Sequence, residues 1–299
     1  MQIEIIVKKP ANYNLGASLE VLIDFLSQIQ KWDKGSKLII NLQNIDFTYP
    51  LTLLPIASYL KYLSSLYYDI DFVYNKNTQK YLNVIKFPYG LSYDYNELTI
   101  ELKKYKNKTY LPICSIPSGS NNSKIRDQIL SLFETILVSQ TNIKGQLKIA
   151  VSYIINETID NIVEHANVSN GWIMAQNYPK KGFLDVCIAD TGDGILESYK
   201  KTKIFNISTD AQAINKAING LSTKEQGNTR GYGLKTSRKM LVEGLGGMFL
   251  LFSGNSFYIW NTNIETIFSD IPYKWKGTIV AVRIPHDIPS NFNYTNYLE

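Results

Sequence analysis

Cysteine and histidine are scarce in these 299 residues, with two of each. Cys114 and Cys187 stand far apart in apolar surroundings and show no metal-ligand spacing, so the expectation is buried free thiols in a reducing cytoplasm. No apolar run approaches the length of a membrane span, and the start MQIEIIVKKP holds no apolar segment long enough for a signal peptide. A soluble, cytoplasmic protein without a membrane partner is therefore expected. Strong charge of one sign is also missing: the net charge is +5, with no block of like charges and no basic helix face. That balance permits an anionic ligand but disfavours a nucleic-acid binder. No internal repeat or heptad run is visible. What is present is globular, with 44% apolar and 19% charged residues, enough for one or two domains with a substantial core.

The cluster PSGSNNSK, rich in turn and linker residues, divides two differently patterned regions. It predicts a first α/β domain over 1–116, a linker over 117–124, a second domain over 125–288 and a polar, mobile tail over 289–299. Upstream, IEIIVK, KLIINL and IDFVY read as strands, with helical runs at ASLEVLIDFLSQIQ and LTLLPIASYLKYLSSL. This alternation predicts a small sheet covered by helices. Downstream comes a long helical region from about 123 to 166, then strands at GWIMAQNY and FLDVCIAD. A glycine-rich loop, another helix, the hairpin MFLLFSGNSFYIW and a last strand GTIVAVRIP follow.

Three stretches carry chemistry. In SYIINETIDNIVEHANVSNGW, Ile154, Ile155, Thr158, Ile159, Ile162 and Val163 define a buried helical stripe. Glu157, Asn161 and His165 stand four apart on a neighbouring face, a pattern that a solvated helix face also gives. In DVCIADTGDGI an apolar strand runs into Asp190, and Gly192 and Gly194 bracket a sharp turn where glycine admits positive φ or a close ligand. A plain turn gives the same letters. In GNTRGYGLKTSRKMLVEG, glycines precede a helix starting near Leu234, whose free backbone N–H groups and positive dipole end suit phosphate. Glycines placed for packing alone read the same way.

Taken together with Gly277 and Thr278 on the closing strand, these signals in this order resemble the GHKL superfamily of ATPases: gyrase, Hsp90, histidine kinases and mismatch-repair ATPases. The resemblance covers roughly 124–285, and ETIDNIVEHA is similar to gyrase and to the anti-sigma serine kinases. It implies a Bergerat-type two-layer α/β sandwich with a mixed sheet, binding ATP and Mg²⁺. It further implies that Asn161 is the side chain on Mg²⁺ and that Glu157 orients or deprotonates the attacking water or hydroxyl. Asp190 is implied as acceptor for the adenine amine, with Gly192 and Gly194 beneath the base and Thr278 supporting the same end. Gly231, Tyr232, Gly233 and Leu234 are implied to offer N–H groups to the phosphates. Residues 209–230 are implied as a lid, with Arg230 and Lys235 as candidate phosphate cations, roles that compete with a solvated surface.

Departures narrow this reading. The chain ends 14 residues after Pro285, so no transducer domain with its pocket lysine is expected, which disfavours strand passage and mismatch repair. His165 and His286 are the only histidines, and neither sits on a dimerisation helix as a phosphoacceptor does in a histidine kinase. An insertion, NTNIETIFSDIPYKWK, precedes Gly277. The remainder resembles the anti-sigma serine kinase branch. The first domain, with KLIINLQNIDF, the loop TYPLT and a helix, resembles the STAS fold, the module that such kinases phosphorylate on a loop Ser or Thr. The D-S-x-G loop is absent, leaving Thr48 or Thr52 as stand-ins, for which a turn or cap role is the commoner reading. The implied activity is a slow ATPase or a serine/threonine protein kinase, or else an ATP-gated interaction switch. The implied partners are ATP and a regulatory protein, with a homodimer left open.

Overall fold

The computed structural model describes residues 2–31, 37–45, 48–66, 69–91, 94–141, 143–165, 170–202, 206–220 and 233–298, with Ser120 and residues 161–165 described in the backbone alone. Strands and helices alternate in the first unit: β1 (Gln2–Ile6), α1 (Leu15–Ile29), β2 (Lys37–Asn41), α2 (Pro50–Ser65) and β3 (Asp69–Val73). The three expected strands pair in parallel in the order β1-β2-β3. Asn14 starts α1 by accepting the Ala17 N–H at 2.8 Å, and Leu15, Leu19, Leu22, Leu26 and Ile29 recur along its buried side. Two further helices, α3 (Lys76–Val84) and α4 (Tyr95–Lys103), complete the unit.

In α2, nearly every residue from Pro50 to Leu60 is buried. A helix apolar all round must be covered all round, and α2 lies between α1 and β3 of its own unit and a second, larger sheet.

That second sheet has seven strands in the order β4-β5-β6-β10-β7-β8-β9: β4 (Tyr110–Pro117), β5 (Asn170–Tyr178), β6 (Phe183–Ala189), β7 (Met248–Gly254), β8 (Ser256–Trp260), β9 (Glu265–Phe268) and β10 (Trp275–Pro285). Every pair is antiparallel, so the sheet is not mixed as expected. The crossover from β6 to β7 leaves those two strands running the same way, but β10 enters between them and pairs with both. The sheet also starts earlier than the linker cluster indicates. β4 falls largely within 1–116 yet is its edge strand, and 117–124 carries the chain from β4 into α5 (Ser123–Thr141). The long helical region expected over about 123–166 consists of two helices, α5 and α6 (Gly145–His165), with Gly145 at φ 55° opening the second.

Side chains alternate across this sheet. Ile173, Ala175, Leu184, Val186, Ile188, Val280 and Val282 join the core formed with α5 and α6. Trp172, Met174, Cys187, Ala189, Leu250, Phe252, Ile279 and Ala281 join the core formed with the first unit. Both faces of the sheet are therefore covered, and both cysteines are buried free thiols. The insertion before Gly277 supplies β9, which extends the sheet beyond β8. The expected mobile tail instead packs down: Phe292 is buried and stacks on Tyr297, against Gly244, where a Cβ would lie 2.8 Å from the Phe292 ring. Its aromatic residues outweigh its polar composition. Between β6 and β7 run α7 (Ile195–Thr202), α8 (Asp210–Ile218) and α9 (Gly233–Lys239), the last continuing through a wider turn over Met240–Gly244. Among the described residues no helix is long and apolar enough to cross a membrane.

Candidate functional site

The end of β6 delivers Asp190 to a fully buried position. Its Oδ1 accepts the Gly192 N–H at 2.8 Å and its Oδ2 accepts the Thr278 N–H at 3.1 Å. Its own N–H donates to the Thr278 carbonyl at 2.9 Å. Burial pushes the carboxyl up from its usual 3.8 to about 7, and the two N–H donors pull against that rise. The predicted aspartate, the first glycine of its turn and the predicted threonine of the last strand thus meet, joined through the backbone. Each carboxylate oxygen keeps a lone pair beyond the N–H it takes, which fits an exocyclic amine as a further donor.

Two side chains that sequence reasoning passed over hold this arrangement. Ser253, buried at the end of β7, accepts the Ile195 N–H at 3.0 Å and donates to the Gly277 carbonyl at 2.8 Å. It lies so close to Gly194 that a Cβ there would sit 2.8 Å from its Oγ. Gly277 has φ 97°, and its Cα packs against Asp190 so that a side chain would overlap the aspartate's oxygens. The second is Trp275, whose indole N–H donates to the Asp190 carbonyl at 3.1 Å. Ser253 lay in an apparent hairpin and Trp275 in an apparent insertion, so neither stretch marked a site.

Glu157 lies half-buried on α6 where α9 begins. Gly233 is pressed onto its carboxylate, leaving no room for a Cβ at that first α9 position. One turn earlier, Tyr153 bonds Thr236 on α9, and its hydroxyl is pushed up by burial and then by the Glu157 charge. Leu234 packs against the core and Lys235 is half-buried. The predicted catalytic carboxylate and the predicted phosphate-binding turn are therefore adjacent as far as the latter is described. The side chain of Asn161, the residues Gly231 and Tyr232, and 221–230 of the lid expected over 209–230, Arg230 included, lie outside the described residues; the described part of that lid is capped by Thr209 and forms α8, with Ala213, Ile214 and Ile218 buried. Among the described residues no group of three or more His, Cys, Asp or Glu could hold a metal ion. A magnesium ion held by one protein side chain and by phosphates requires no such group.

The stand-in acceptors Thr48 and Thr52 are completely buried at the start of α2, and neither hydroxyl hydrogen-bonds to a partner among the described residues. His286 follows the last strand, its imidazole held down by burial.

The family profile described as "Histidine kinase-, DNA gyrase B-, and HSP90-like ATPase" matches residues 147–288. The match runs from α6 through β10 and takes in Glu157, Asn161, Asp190, Gly233 and Thr278. This chain carries a GHKL-type ATPase domain over those residues, and ATP binding is what such a domain implies. No curated protein matched the sequence.

Proposed function

We propose that this protein is an ATP-binding regulatory protein that turns ATP over slowly, with Mg²⁺, as an ATPase or a serine/threonine protein kinase. The observation that carries the reading is the buried Asp190 carboxylate held between the Gly192 and Thr278 N–H groups. In this reading Asp190 accepts the adenine amine, Gly192 and Gly194 shape the turn beneath the base, and Thr278 supports the same edge. Gly231, Tyr232, Gly233 and Leu234 offer N–H groups to the phosphates, and Asn161 holds Mg²⁺ against them. Glu157 takes the proton from the attacking water or hydroxyl, a role supported by its place beside the start of α9.

The first unit reads as STAS-like, supported by its β–α–β–α–β order and by the loop that leads from β2 into α2. Because Thr48 and Thr52 are buried while this unit is docked, the transferred phosphoryl group goes to a separate cytoplasmic regulatory protein. A second reading, an ATP-gated interaction protein with negligible turnover, is favoured by the same docking, which places a potential signalling module directly on the ATPase sheet. Incubation with γ-labelled ATP and Mg²⁺ separates the readings. Free phosphate indicates an ATPase, label on protein indicates a kinase, and bound but intact ATP indicates the gated switch. Failure to retain ATP at all rejects the proposal.

A further inference from the structure

The adenine end is built from residues that the first unit also holds. Gln30, at the end of α1, grips the peptide of Lys274 as a strand neighbour would: its Nε2 donates to the Lys274 carbonyl at 2.5 Å and its Oε1 accepts the Lys274 N–H at 3.1 Å. The next residue, Trp275, is buried with its ring 5.5 Å from that of Tyr59 on α2, and Gln30 also reaches the Tyr59 hydroxyl at 3.3 Å. Lys276 lies over the Tyr62 ring at 4.2 Å. On its other side the same segment meets the site. The Trp275 indole donates to the Asp190 carbonyl, Gly277 packs on Asp190, and the Thr278 N–H donates to its carboxylate. Between Trp275 and Thr278 the ladder with β7 shifts register, so this stretch departs from regular strand pairing.

We propose that residues 274–278 form a strap through which docking of the first unit sets the adenine end of the nucleotide site, with Trp275 as its positioning residue. This inference rests on Asp190 being the adenine acceptor, and it names how that site is regulated. Undocking α1 and α2 releases Lys274 and Trp275. The Asp190 backbone then loses the indole, and the Thr278 N–H loses its fixed aim at the carboxylate. Linkage requires the reverse as well: ATP that is bound better by the ordered strap tightens docking by the same factor.

The test uses the full chain and two variants. Gln30→Ala removes the clasp on Lys274 at an exposed position, and Trp275→Phe keeps a ring but removes the indole N–H. Amide exchange at Gly192 and Thr278 is read without nucleotide, beside melting temperature and ATP affinity. The strap predicts faster exchange at both amides in both variants. It also predicts ATP affinity weakened about fivefold by Trp275→Phe, the factor carried by one net hydrogen bond. In the double variant the losses fall short of their product, because both act through one segment. If melting temperature drops while exchange at Gly192 and Thr278 and ATP affinity stay at wild-type values, Trp275 is merely structural and the proposal is overturned. If the wild type fails to bind ATP yet exchange responds as predicted, the strap stands and the nucleotide assignment falls.

Discussion

If the Asp190 carboxylate is the adenine acceptor, ATP affinity must depend on pH in a way that a single substitution removes. Burial, with no cationic partner among the described residues, raises this carboxyl to about 7 in the free protein, the Gly192 and Thr278 N–H groups notwithstanding. An amine donor prefers the ionised acceptor. At pH 6 roughly one molecule in ten carries that form and at pH 8 roughly nine in ten, so affinity should rise about tenfold between them, with proton release on binding at pH 6 to 7. The γ-phosphate titrates nearby, and Asp190→Asn provides the reference because it keeps that titration and loses the carboxyl. In Asp190→Asn the adenine amine loses its charged acceptor, a cost of about 1 to 3 kcal/mol, so ATP should weaken about 5- to 150-fold at pH 8. Stability without ligand moves in the opposite direction. A buried acid with a raised value stabilises the fold fully below about 4, and that contribution is lost as pH rises through about 7. The wild-type melting temperature should therefore fall across this window relative to Asp190→Asn. Calorimetric titrations at pH 6, 7 and 8 in two buffers of different ionisation enthalpy decide the matter. Parallel pH profiles for wild type and variant would refute the assignment.

Other changes separate the remaining parts of the account. Glu157→Ala should keep ATP affinity and abolish turnover, whereas Gly233→Ala, which drives a methyl into the Glu157 carboxylate and displaces the N–H groups assigned to the phosphates, should weaken both; turnover at the wild-type rate in Glu157→Ala would place Glu157 outside the chemistry. Arg283 forms a two-pronged pair with buried Asp185 at 2.7 Å for both bonds, so Arg283→Met should strand that carboxylate and cost about 3 to 5 kcal/mol in urea unfolding. A cost under 1 kcal/mol would show the site to be wet. Thr48→Val and Thr52→Val replace buried hydroxyls that lack a described partner, and each should leave the melting temperature unchanged or raise it. A fall of several degrees would mean that the hydroxyls are bonded in solution.

Legibility in the sequence followed the range of the interactions. Asp190, Gly192 and Gly194 could be read because a strand running into a glycine turn is a local pattern, and Glu157 because helical spacing is. Thr278 was named only through the resemblance, and the bond that joins it to Asp190 spans 88 residues. Ser253 acts through partners 24 and 58 residues away and the Trp275 indole through one 85 residues away, so no local spacing marks them. The run that forms α2 was legible as a helix, but what covers it all round, including the back of the seven-stranded sheet, depends on packing between the two units. Residues 117–124 have the composition of a linker, yet β4 already belongs to the second sheet, because strand membership is decided by β5 pairing and not by turn residues. The tail misled in the same way: its polar letters concealed Phe292 and Tyr297, which fill the space above Gly244.

The most direct test of the nucleotide assignment is a calorimetric titration of the full chain with ATP and, separately, with GTP, both with Mg²⁺ at pH 8. An ionised acceptor at the base of the pocket attracts the adenine amine and repels the keto oxygen that guanine presents at the same place, so a single saturable site with ATP at least tenfold tighter than GTP is predicted. Equal affinity for the two nucleotides, or no heat with either, would contradict the account.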